Sequence, residues 1–412
     1  KMNLVRQHPF LCSSEGFERI RADVEKEGVT HLAIAACSHR SKTEAFQFPG
    51  AAVSRANLRE GVIWVRPDTD EARETTQEMA EDYVRMACAE VKKMKVPAGS
   101  AGSGQNKRIL VVGGGVSGLT AALEAARAGY EAVIVEKSGA LGGWAAQLHR
   151  RVPDREPFHD PVDSGVTALI EAVRAERRIT VHLNATVAET SGAPGCFKVT
   201  LAVESGQTLA EEAGAIVQAT GFSLYDASRL TEFSWGASPN IVDQAGLEKL
   251  ARDAKGGAIR RPSDGAAVKT VVFVQCAGQR DDSGRHLPYC SGHCCATSIK
   301  QAMYFKDENP AVETIVIYTD LRVPGNGEDF YRAAQAKGIS FTKGTVSAVE
   351  PVGNSCRVKF RDLILAEDAT IDNADLVVLA TGQVPNSGID IENPEMRDAN
   401  GAKPVSILNL AY

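Results

Sequence analysis

Four of the nine cysteines in this 412-residue chain follow one another closely enough to bind a metal centre. They are Cys276, Cys290, Cys294 and Cys295, and a helical pattern at residues 296–306 comes directly after them. Four cysteine thiolates are the usual ligands of a [4Fe–4S] cluster or of a structural zinc ion. Because the spacing is uncommon for a ferredoxin, zinc, a redox-active dithiol and plain buried thiols are the alternatives. Among these interpretations the sequence favours the iron–sulfur cluster.

A glycine-rich turn at residues 113–118 predicts a site for the pyrophosphate of a dinucleotide. An apolar strand pattern precedes the turn and an Ala-rich helical pattern follows it. Gly113 allows the tight turn, Gly115 lets the backbone approach the pyrophosphate, and Gly118 lets the helix pack closely on the strand. The next strand ends in Glu136, which is placed to accept hydrogen bonds from the adenosine ribose. The order of strand, turn, helix, strand and acid therefore predicts dinucleotide binding.

The residues that follow favour FAD over NAD. Gly142 and Gly143 would let the chain pass close to the phosphates and the ribityl chain. Two strands end in Ala-Thr-Gly, a turn that marks chain crossings beside the flavin in two-dinucleotide flavoproteins. Trp144 could cover the flavin or fill the core, and Lys137 could reach a phosphate or lie on the surface. The expected FAD-binding residues are Gly113, Gly115, Val116, Ser117, Gly118, Glu136, Lys137, Gly142, Gly143, Trp144, Val187, Thr220, Gly221, Thr381 and Gly382.

Alternating strand and helix patterns predict an α/β fold. It is expected to be a thioredoxin-reductase-like flavoprotein with two dinucleotide-binding domains and an added small N-terminal α/β domain. That small domain should contain helices at 17–27 and 70–95 and strands at 29–36 and 62–65. The expected parts are an N-terminal domain at 1–96, a Gly/Ser-rich linker at 97–106, a split FAD-binding domain at 107–225 and 346–412, and an inserted NAD-binding-like domain at 226–345.

The inserted domain should contain a second parallel sheet, because strand and helix patterns alternate from residue 269 to residue 342. Its first strand leads into residues 275–280, which lack the second and third glycines of a nicotinamide-binding turn. The glycine turn that usually binds the pyrophosphate is therefore missing, and the cysteine-containing loop occupies the same position in the sequence. His286 and His293 in this loop are expected to be solvated, as exposed loop histidines usually are.

Composition excludes several classes of function. A formal net charge of −6 offers no basic face for nucleic acid, and no apolar run approaches the length of a membrane span. An odd number of cysteines, spread through a chain too large to need disulfides, indicates a reducing compartment, and we expect the cytoplasm. Because the sequence begins at Lys1 without a secretory signal, we expect the chain to start inside its gene product.

Several of these motifs resemble those of the A-type subunits of heterodisulfide reductases, and the resemblance covers nearly the whole chain. It implies FAD, a [4Fe–4S] cluster bound by the matching Cys276, Cys290, Cys294 and Cys295, and a homodimer. It also implies that electrons pass to and from B- and C-type partner subunits. The resemblance is carried by residues 12–17, 35–38 and 56–60, the glycine turn, Gln275-Cys276, residues 289–291, Cys294-Cys295 and residues 298–302.

Three departures from the family qualify what it implies. Methanogen members carry an inserted ferredoxin module, whereas no cysteine lies here between Cys88 and Cys196, so extra clusters are not expected. The chain therefore looks like the compact subunit of the heterodisulfide-reductase-like complex of sulfur-oxidising bacteria. The cysteine-containing strand that begins other family members is absent, which leaves the roles of Cys12 and Cys37 open. Residues 409–412 stop before the Ala-Gly turn that usually covers the flavin, so either the chain is incomplete or that wall comes from elsewhere.

Together these features predict a flavin-dependent oxidoreductase subunit that relays electrons between FAD and an iron–sulfur cluster. A stand-alone NAD(P)H-dependent flavin disulfide reductase is the rival enzyme. It should have a second GxGxxG and a Cys-x-x-Cys facing the flavin, and the sequence contains neither. A structural assembly module with a redox-silent flavin is the third possibility. The direction of electron flow is not encoded in these motifs.

Overall fold

The computed structural model describes residues 4–96, 105–325 and 327–386. The chain divides into two compact units, Lys1–Ser103 and Gly104–Tyr412, which are described separately. Across the described ranges, no helix is both long enough and apolar enough to cross a membrane. Residues 97–104 of the expected linker and residues 387–412 of the expected FAD domain, including 409–412, lie outside the described residues.

The N-terminal unit is a small α/β domain, as predicted. Strands β1 and β2 pair in parallel, and α3 packs on both. The prediction of a strand at 62–65 is wrong, since this segment forms a 3-10 helix whose three apolar residues are exposed and have no strand beside them. The second strand is β2, where buried and half-buried residues alternate. The elements are α1 (Ser14–Lys26), β1 (His31–Ala35), β2 (Ala52–Ala56), α2 (Leu58–Gly61), the 3-10 helix Ile63–Val65 and α3 (Asp70–Lys93).

The second unit begins with a four-stranded parallel sheet in the order β5-β4-β3-β9. Val111 of β3 faces a cluster formed with α4 and α5, while Leu110 and Val112 face the antiparallel sheet β6-β7-β8. The sheet is thus covered on both faces, as its continuous apolar strands require. The elements are β3 (Ile109–Val112), α4 (Val116–Arg127), β4 (Ala132–Val135), the 3-10 helix Gly143–Gln147, α5 (Val166–Ala175), β5 (Ile179–His182), β6 (Ala185–Ser191), β7 (Phe197–Val203), β8 (Thr208–Ala213) and β9 (Ala215–Gln218).

A seven-stranded mixed sheet follows, in the order β11-β17-β12-β13-β14-β15-β16. Helices α6, α7 and α8 pack on one face of it, and a short antiparallel pair, β10 with β18, lies outside the sheet. The elements are β10 (Phe222–Leu224), the 3-10 helices Ala227–Arg229 and Thr231–Phe233, β11 (Ile241–Asp243), α6 (Gln244–Asp253), β12 (Thr270–Ala277), α7 (Cys294–Glu308), β13 (Glu313–Tyr318), α8 (Gly327–Ala336), β14 (Ser340–Val352), β15 (Ser355–Asp362), β16 (Glu367–Ala374), β17 (Leu376–Thr381) and β18 (Gln383–Pro385).

The position of β17 corrects the expected assignment of residues 346–386 to the FAD-binding domain. We assigned this strand to the FAD-binding domain, yet it pairs in parallel with β11 and β12 of the second sheet. All six of its residues are buried, as in a central strand with neighbours on both sides. Strands β14, β15 and β16 extend the same sheet. Up to Thr381 the chain therefore continues the sheet of the cysteine-bearing domain, and β18 beyond it pairs with β10.

Candidate flavin and metal site

The glycine turn has the geometry that its sequence predicts. A side chain at Gly113, whose φ is 110°, would lie 2.2 Å from the carbonyl oxygen of Ala219. A Cβ atom at Gly118 would lie 1.8 Å from the carbonyl oxygen of Gly113. Gly115, the residue before α4, instead faces open space, because no atom lies within 4 Å of its ideal Cβ position. The turn is thus closed towards the protein and open at the helix N-terminus, where a phosphate would bind.

A second glycine segment forms one wall with this turn. The backbone N–H of Gly142 donates to the carbonyl oxygen of Gly114 at 2.8 Å. A Cβ atom at Gly143 would lie 3.1 Å from Cα of Gly115. Both Gly142 and Gly143 have positive φ values, 111° and 53°, so glycine is the residue suited to each position. The structure therefore brings together two motifs that the sequence suggested separately.

Glu136 directly follows β4 and is 7% exposed. Its Oε2 accepts the Gly114 N–H at 2.6 Å, and its Oε1 accepts the N–H and the hydroxyl of Ser138 at 2.8 and 2.7 Å. The carboxylate holds the glycine turn in place and keeps acceptor capacity for a ribose hydroxyl, since each oxygen has two lone pairs. Lys137, Val116 and Ser117 are exposed.

The two Thr-Gly turns are neighbours in the structure. β10 pairs with β18, and Asn386 donates to the carbonyl oxygens of Thr220 and Gly221 at 3.1 and 3.0 Å. The buried hydroxyl of Thr220 has no hydrogen-bond partner, so a polar atom is available at this crossing. Thr381 and Gly382 lie next to the cysteine loop, where a Cβ at Gly382 would be 2.5 Å from Gln279.

Val187, another expected FAD-binding residue, packs with the apolar cluster between β3 and the sheet of β6, β7 and β8. That cluster includes Leu110 and Val112, whereas Val111 faces the α4 side.

A cavity of about 260 Å³ opens beside Trp144. Trp144 stacks on Phe222 with ring centroids 5.7 Å apart, and its Nε1 donates to the carbonyl oxygen of Phe222 at 3.1 Å. Leu148 and Val152 add further apolar wall, and Lys300 lies among the polar residues that line the cavity. Aromatic walls with a few polar groups are typical of sites for planar cofactors.

Lys300 and Glu248 form a buried ion pair at this cavity that the sequence did not reveal. Their side chains are 2% and 4% exposed, and Lys300 Nζ lies 2.8 Å from Glu248 Oε1. The carboxylate of Glu248 also accepts the backbone N–H of His149 at 2.7 Å and the amide of Gln301 at 2.8 Å. Lys300 donates to the carbonyl oxygen of Arg150 at 2.7 Å. The sequence showed only the adjacent polar residues Lys300 and Gln301 within α7, which a local pattern assigns to the solvent-facing side.

The four predicted cysteine ligands surround the connection from β12 to α7. Cys276 lies near the end of β12 with a φ of 57°, and Cys294 and Cys295 are the first residues of α7. Cys294 Sγ accepts the amide of Gln279 at 3.1 Å and donates to the carbonyl oxygen of Thr381 at 3.4 Å. Cys290 lies in the loop, half-buried, and its Sγ accepts the Gly292 N–H at 3.4 Å.

The four thiols influence one another electrostatically. The pKa of Cys294 is raised to about 12, mainly by burial and in addition by Cys295, Cys276 and Cys290, while the hydrogen bond from Gln279 acts in the opposite direction. Burial also raises the pKa of Cys295, with Cys276 and Cys290 again contributing. Thiolates at these positions need a compensating positive charge, which the N-terminus of α7 supplies only in part.

The four thiols are of the number and chemical kind that a [4Fe–4S] cluster takes as ligands. Throughout the part of the chain that the structure describes, no three His, Cys, Asp or Glu side chains converge as ligands of one metal ion would. Zinc requires its ligands at about 2.3 Å from a common point. A [4Fe–4S] cluster takes one thiolate on each of four irons, so its ligands surround a larger volume. The four thiols around the connection from β12 to α7, two of them buried, match that requirement in number and chemistry.

The two loop histidines differ from the expectation that they would be solvated. The His293 ring lies 6.1 Å from Phe222, and burial lowers the pKa of His293 to about 4. His286 Nδ1 lies 2.6 Å from the Tyr225 hydroxyl. Their loop is folded onto the second sheet, which a local pattern could not indicate.

Cys12 and Cys37, whose roles the sequence left open, lie in the N-terminal unit and are exposed. Cys37 has a φ of 49°, and its thiol accepts a hydrogen bond from Arg59. All nine cysteines of the chain are free thiols.

Comparisons with known proteins agree with the flavin site. A family described as FAD dependent oxidoreductase matches residues 108–222. The second A-type iron–sulfur subunit of CoB–CoM heterodisulfide reductase from Methanopyrus kandleri is 29% identical over 94% of this chain and 71% of its own length. The A-type subunit of the H2:CoB-CoM heterodisulfide,ferredoxin reductase from Methanothermobacter marburgensis is 27% identical over 94% of this chain and 70% of its own. The A-type subunit of the ferredoxin/F420H2-dependent enzyme from Methanosarcina acetivorans is also 27% identical, and this chain spans 58% of it.

Among solved structures, thioredoxin reductase from T. acidophilum is similar with a TM-score of 0.44 and 16% identity, over 73% of this chain and 88% of that one. Thioredoxin reductase from Lactococcus lactis has a TM-score of 0.44 and 13% identity, over 74% and 92% of the two chains.

Proposed function

Taking as premise that the chain is a flavin-dependent oxidoreductase homologous to the A-type subunits of heterodisulfide reductases, we propose that it is the electron-transfer subunit of a heterodisulfide-reductase-like complex. The observation that carries the proposal is the position of four cysteines around the connection from β12 to α7, where a pyridine nucleotide would otherwise bind. The connection from β12 to α7 is a long folded loop, unlike the tight glycine turn that a dinucleotide needs. Bound FAD accepts or donates electrons in pairs or singly, whereas an iron–sulfur cluster exchanges them singly.

The FAD would be held by the two glycine segments and by Glu136. Gly115 leaves space for the pyrophosphate at the N-terminus of α4, and Glu136 offers its remaining lone pairs to the ribose. Trp144 and Phe222 close one side of the cavity and exclude water from a planar ring placed there. The free hydroxyl of Thr220 is the polar group nearest the chain crossing.

The [4Fe–4S] cluster would be held by Cys276, Cys290, Cys294 and Cys295. Gln279 donates to Cys294 Sγ, so its amide would lower the charge density on that sulfur. Cys294 also contacts the carbonyl oxygen of Thr381, the residue at the end of β17 beside the chain crossing. Cys294 therefore lies in direct contact with the segment that leads to the flavin cavity, which supports exchange of electrons between the two sites.

The partners and the cellular role are further parts of the proposal. The relatives are named as subunits of heterodisulfide reductases, so we expect B- and C-type subunits as partners and a homodimer as the core of the complex. The absence of cysteine between Cys88 and Cys196 supports the compact form associated with sulfur oxidation. Nine free thiols support the cytoplasm as its location.

An anaerobic redox titration followed by optical and electron paramagnetic resonance spectra tests this function. We expect one flavin transition and the signal of one [4Fe–4S] centre per chain, with electrons passing to added B- and C-type subunits. Rapid bleaching of the flavin by NADH or NADPH in the isolated chain would favour the stand-alone disulfide reductase. A flavin that dithionite cannot reduce would indicate an assembly module.

A further inference from the structure

The turn between β15 and β16 exposes three consecutive large apolar side chains. Leu363, Ile364 and Leu365 are 45%, 73% and 66% exposed. Turns normally contain Gly, Asn, Asp, Pro or Ser, because these residues tolerate the backbone and the solvent. Removing large apolar side chains from water is favourable, so three exposed together form a potential contact surface. We call residues 363–366 the apolar tip.

Hydrogen bonds hold the apolar tip in one conformation. Asp362 Oδ1 accepts the backbone N–H groups of Ile364 and Leu365, both at 2.8 Å. The Leu363 N–H donates to the carbonyl oxygen of Lys343 on β14 at 3.0 Å, and Arg361 donates to the carbonyl oxygen of Ala366. A surface that is ordered before binding loses less entropy when a partner docks on it. The apolar tip is therefore ordered before any partner binds.

The position of the tip connects it to the cysteine loop through the sheet. Lys343, which the tip contacts, pairs with Tyr318 at the end of β13. The next two residues of the chain, Thr319 and Asp320, bind Arg280 at 3.2 and 2.6 Å, and Thr319 Oγ1 lies 3.9 Å from Cys276 Sγ. Three strand spacings separate β15 from β12, which is roughly 14 Å. A protein seated on the tip would therefore lie beside the proposed cluster.

The charges around the tip indicate what can dock there. Asp362, Glu367 and Asp368 flank the apolar residues, and the Asp368 side chain is 89% exposed although it pairs with Arg361. An anionic membrane surface would be repelled by these acids, and a second copy meeting the tip across a two-fold axis would bring like charges together. A different protein with an apolar cleft surrounded by Lys or Arg would complement both the apolar side chains and the acidic residues of the tip.

We propose that the apolar tip docks a redox partner subunit of this kind beside the cysteine cluster, which rests on the proposed electron-transfer function. Binding of separately purified B- and C-type subunits to the full chain tests the proposal. The triple variant Leu363→Ser/Ile364→Ser/Leu365→Ser should weaken the affinity of one subunit on the order of 100-fold. The matched control Val352→Ser changes an apolar residue, 46% exposed, at the β14–β15 turn, which lies at the opposite end of β15 from the tip, and it should leave the affinity unchanged.

The charge argument is tested with the same two subunits. Added salt should weaken binding of the unaltered chain, and the variant Glu367→Gln/Asp368→Asn should show a smaller salt dependence. Iron and flavin contents equal to those of the unaltered chain would establish that the triple variant is folded.

Several results would overturn the docking site. The docking site is wrong if the triple variant binds the subunits with the same affinity as the unaltered chain, or if neither subunit binds the unaltered chain. It is also wrong if the tip binds phosphatidylglycerol vesicles, or if the triple variant loses a homodimer while it still binds the partner subunits. A chain that lacks iron would refute the proposed function, whereas unaltered partner binding by an iron-loaded triple variant would refute only the tip.

Discussion

Replacing Glu248 with glutamine should leave a buried cation without its counter-charge. In the unaltered chain Lys300 Nζ lies 2.8 Å from Glu248 Oε1, and it also donates to the carbonyl oxygen of Arg150 at 2.7 Å. Burial lowers the pKa of Lys300, and Glu248 opposes that effect. Glutamine keeps the shape of the side chain and removes the charge, so the Lys300 ammonium retains one carbonyl acceptor in a nearly dry site.

The loss of folding stability in Glu248→Gln is limited, because Lys300 can lose its proton instead of remaining as an unpaired charge. Breaking a buried ion pair from one side costs about 3–5 kcal/mol. Neutralising a lysine whose unfolded pKa is about 10.4 costs about 4.6 kcal/mol at pH 7 and about 1.9 kcal/mol at pH 9. Below the unfolded pKa the unfolded chain binds more protons than the folded variant, so the stability of Glu248→Gln should rise with pH. We expect a deficit of about 3–4 kcal/mol at pH 7 that falls to about 2 kcal/mol at pH 9.

Urea unfolding of the flavin-loaded protein at both pH values measures this deficit. Asp253→Asn on the same helix is the matched control, since it breaks the exposed Lys249–Asp253 pair, whose side chains are 68% and 59% exposed. That control should lose less than about 1 kcal/mol. A deficit for Glu248→Gln as small as the control's, or one that does not shrink between pH 7 and pH 9, would refute the buried-pair reasoning.

Three further predictions concern the glycine turn and an ion pair. Gly115→Ala should fold normally, because nothing lies within 4 Å of the new Cβ, yet bind FAD at least about tenfold more weakly in a flavin titration. Gly118→Ala should lose both FAD and about 1–3 kcal/mol in urea unfolding, because its Cβ would lie 1.8 Å from the Gly113 carbonyl oxygen; a stable, flavin-loaded variant would contradict the turn geometry. Arg261 lowers the pKa of Asp264 from 3.8 to about 2, so this carboxylate stabilises the fold above about pH 4, and the stabilisation disappears as the pH falls towards 2. In acid unfolding, the stability of Asp264→Asn should therefore differ from that of the unaltered chain at pH 5 and equal it near pH 2.

The features predicted well from the sequence depend on residues close together in the chain. The strand, turn and helix around Gly113 follow from a local steric rule, and so does the helix that begins at Cys294. The order of strands and helices across the cysteine-bearing domain also matches the predicted order, with boundaries shifted by a few residues at most elements. Local backbone geometry restricts which residue types can occupy these positions, so the sequence predicts it directly.

The features that the sequence did not reveal depend on distant contacts. An apolar run such as Leu376–Thr381 suits the centre of either large sheet, and pairing partners far away in the chain decide between the two sheets. Lys300 and Glu248 are individually ordinary residues, and their importance comes from tertiary burial. His293 looked solvated because its loop contains polar residues, but the loop folds onto the second sheet.

Iron and acid-labile sulfide content of anaerobically prepared single-cysteine variants tests the central claim most directly. The unaltered chain should contain about four irons and four sulfides, and Cys276→Ala or Cys294→Ala should lose most of them while FAD is retained. Cys356→Ala, which changes a buried cysteine in the apolar core of the same sheet, should retain the full content. Equal iron in all of these variants, or one zinc per chain without sulfide, would contradict the account.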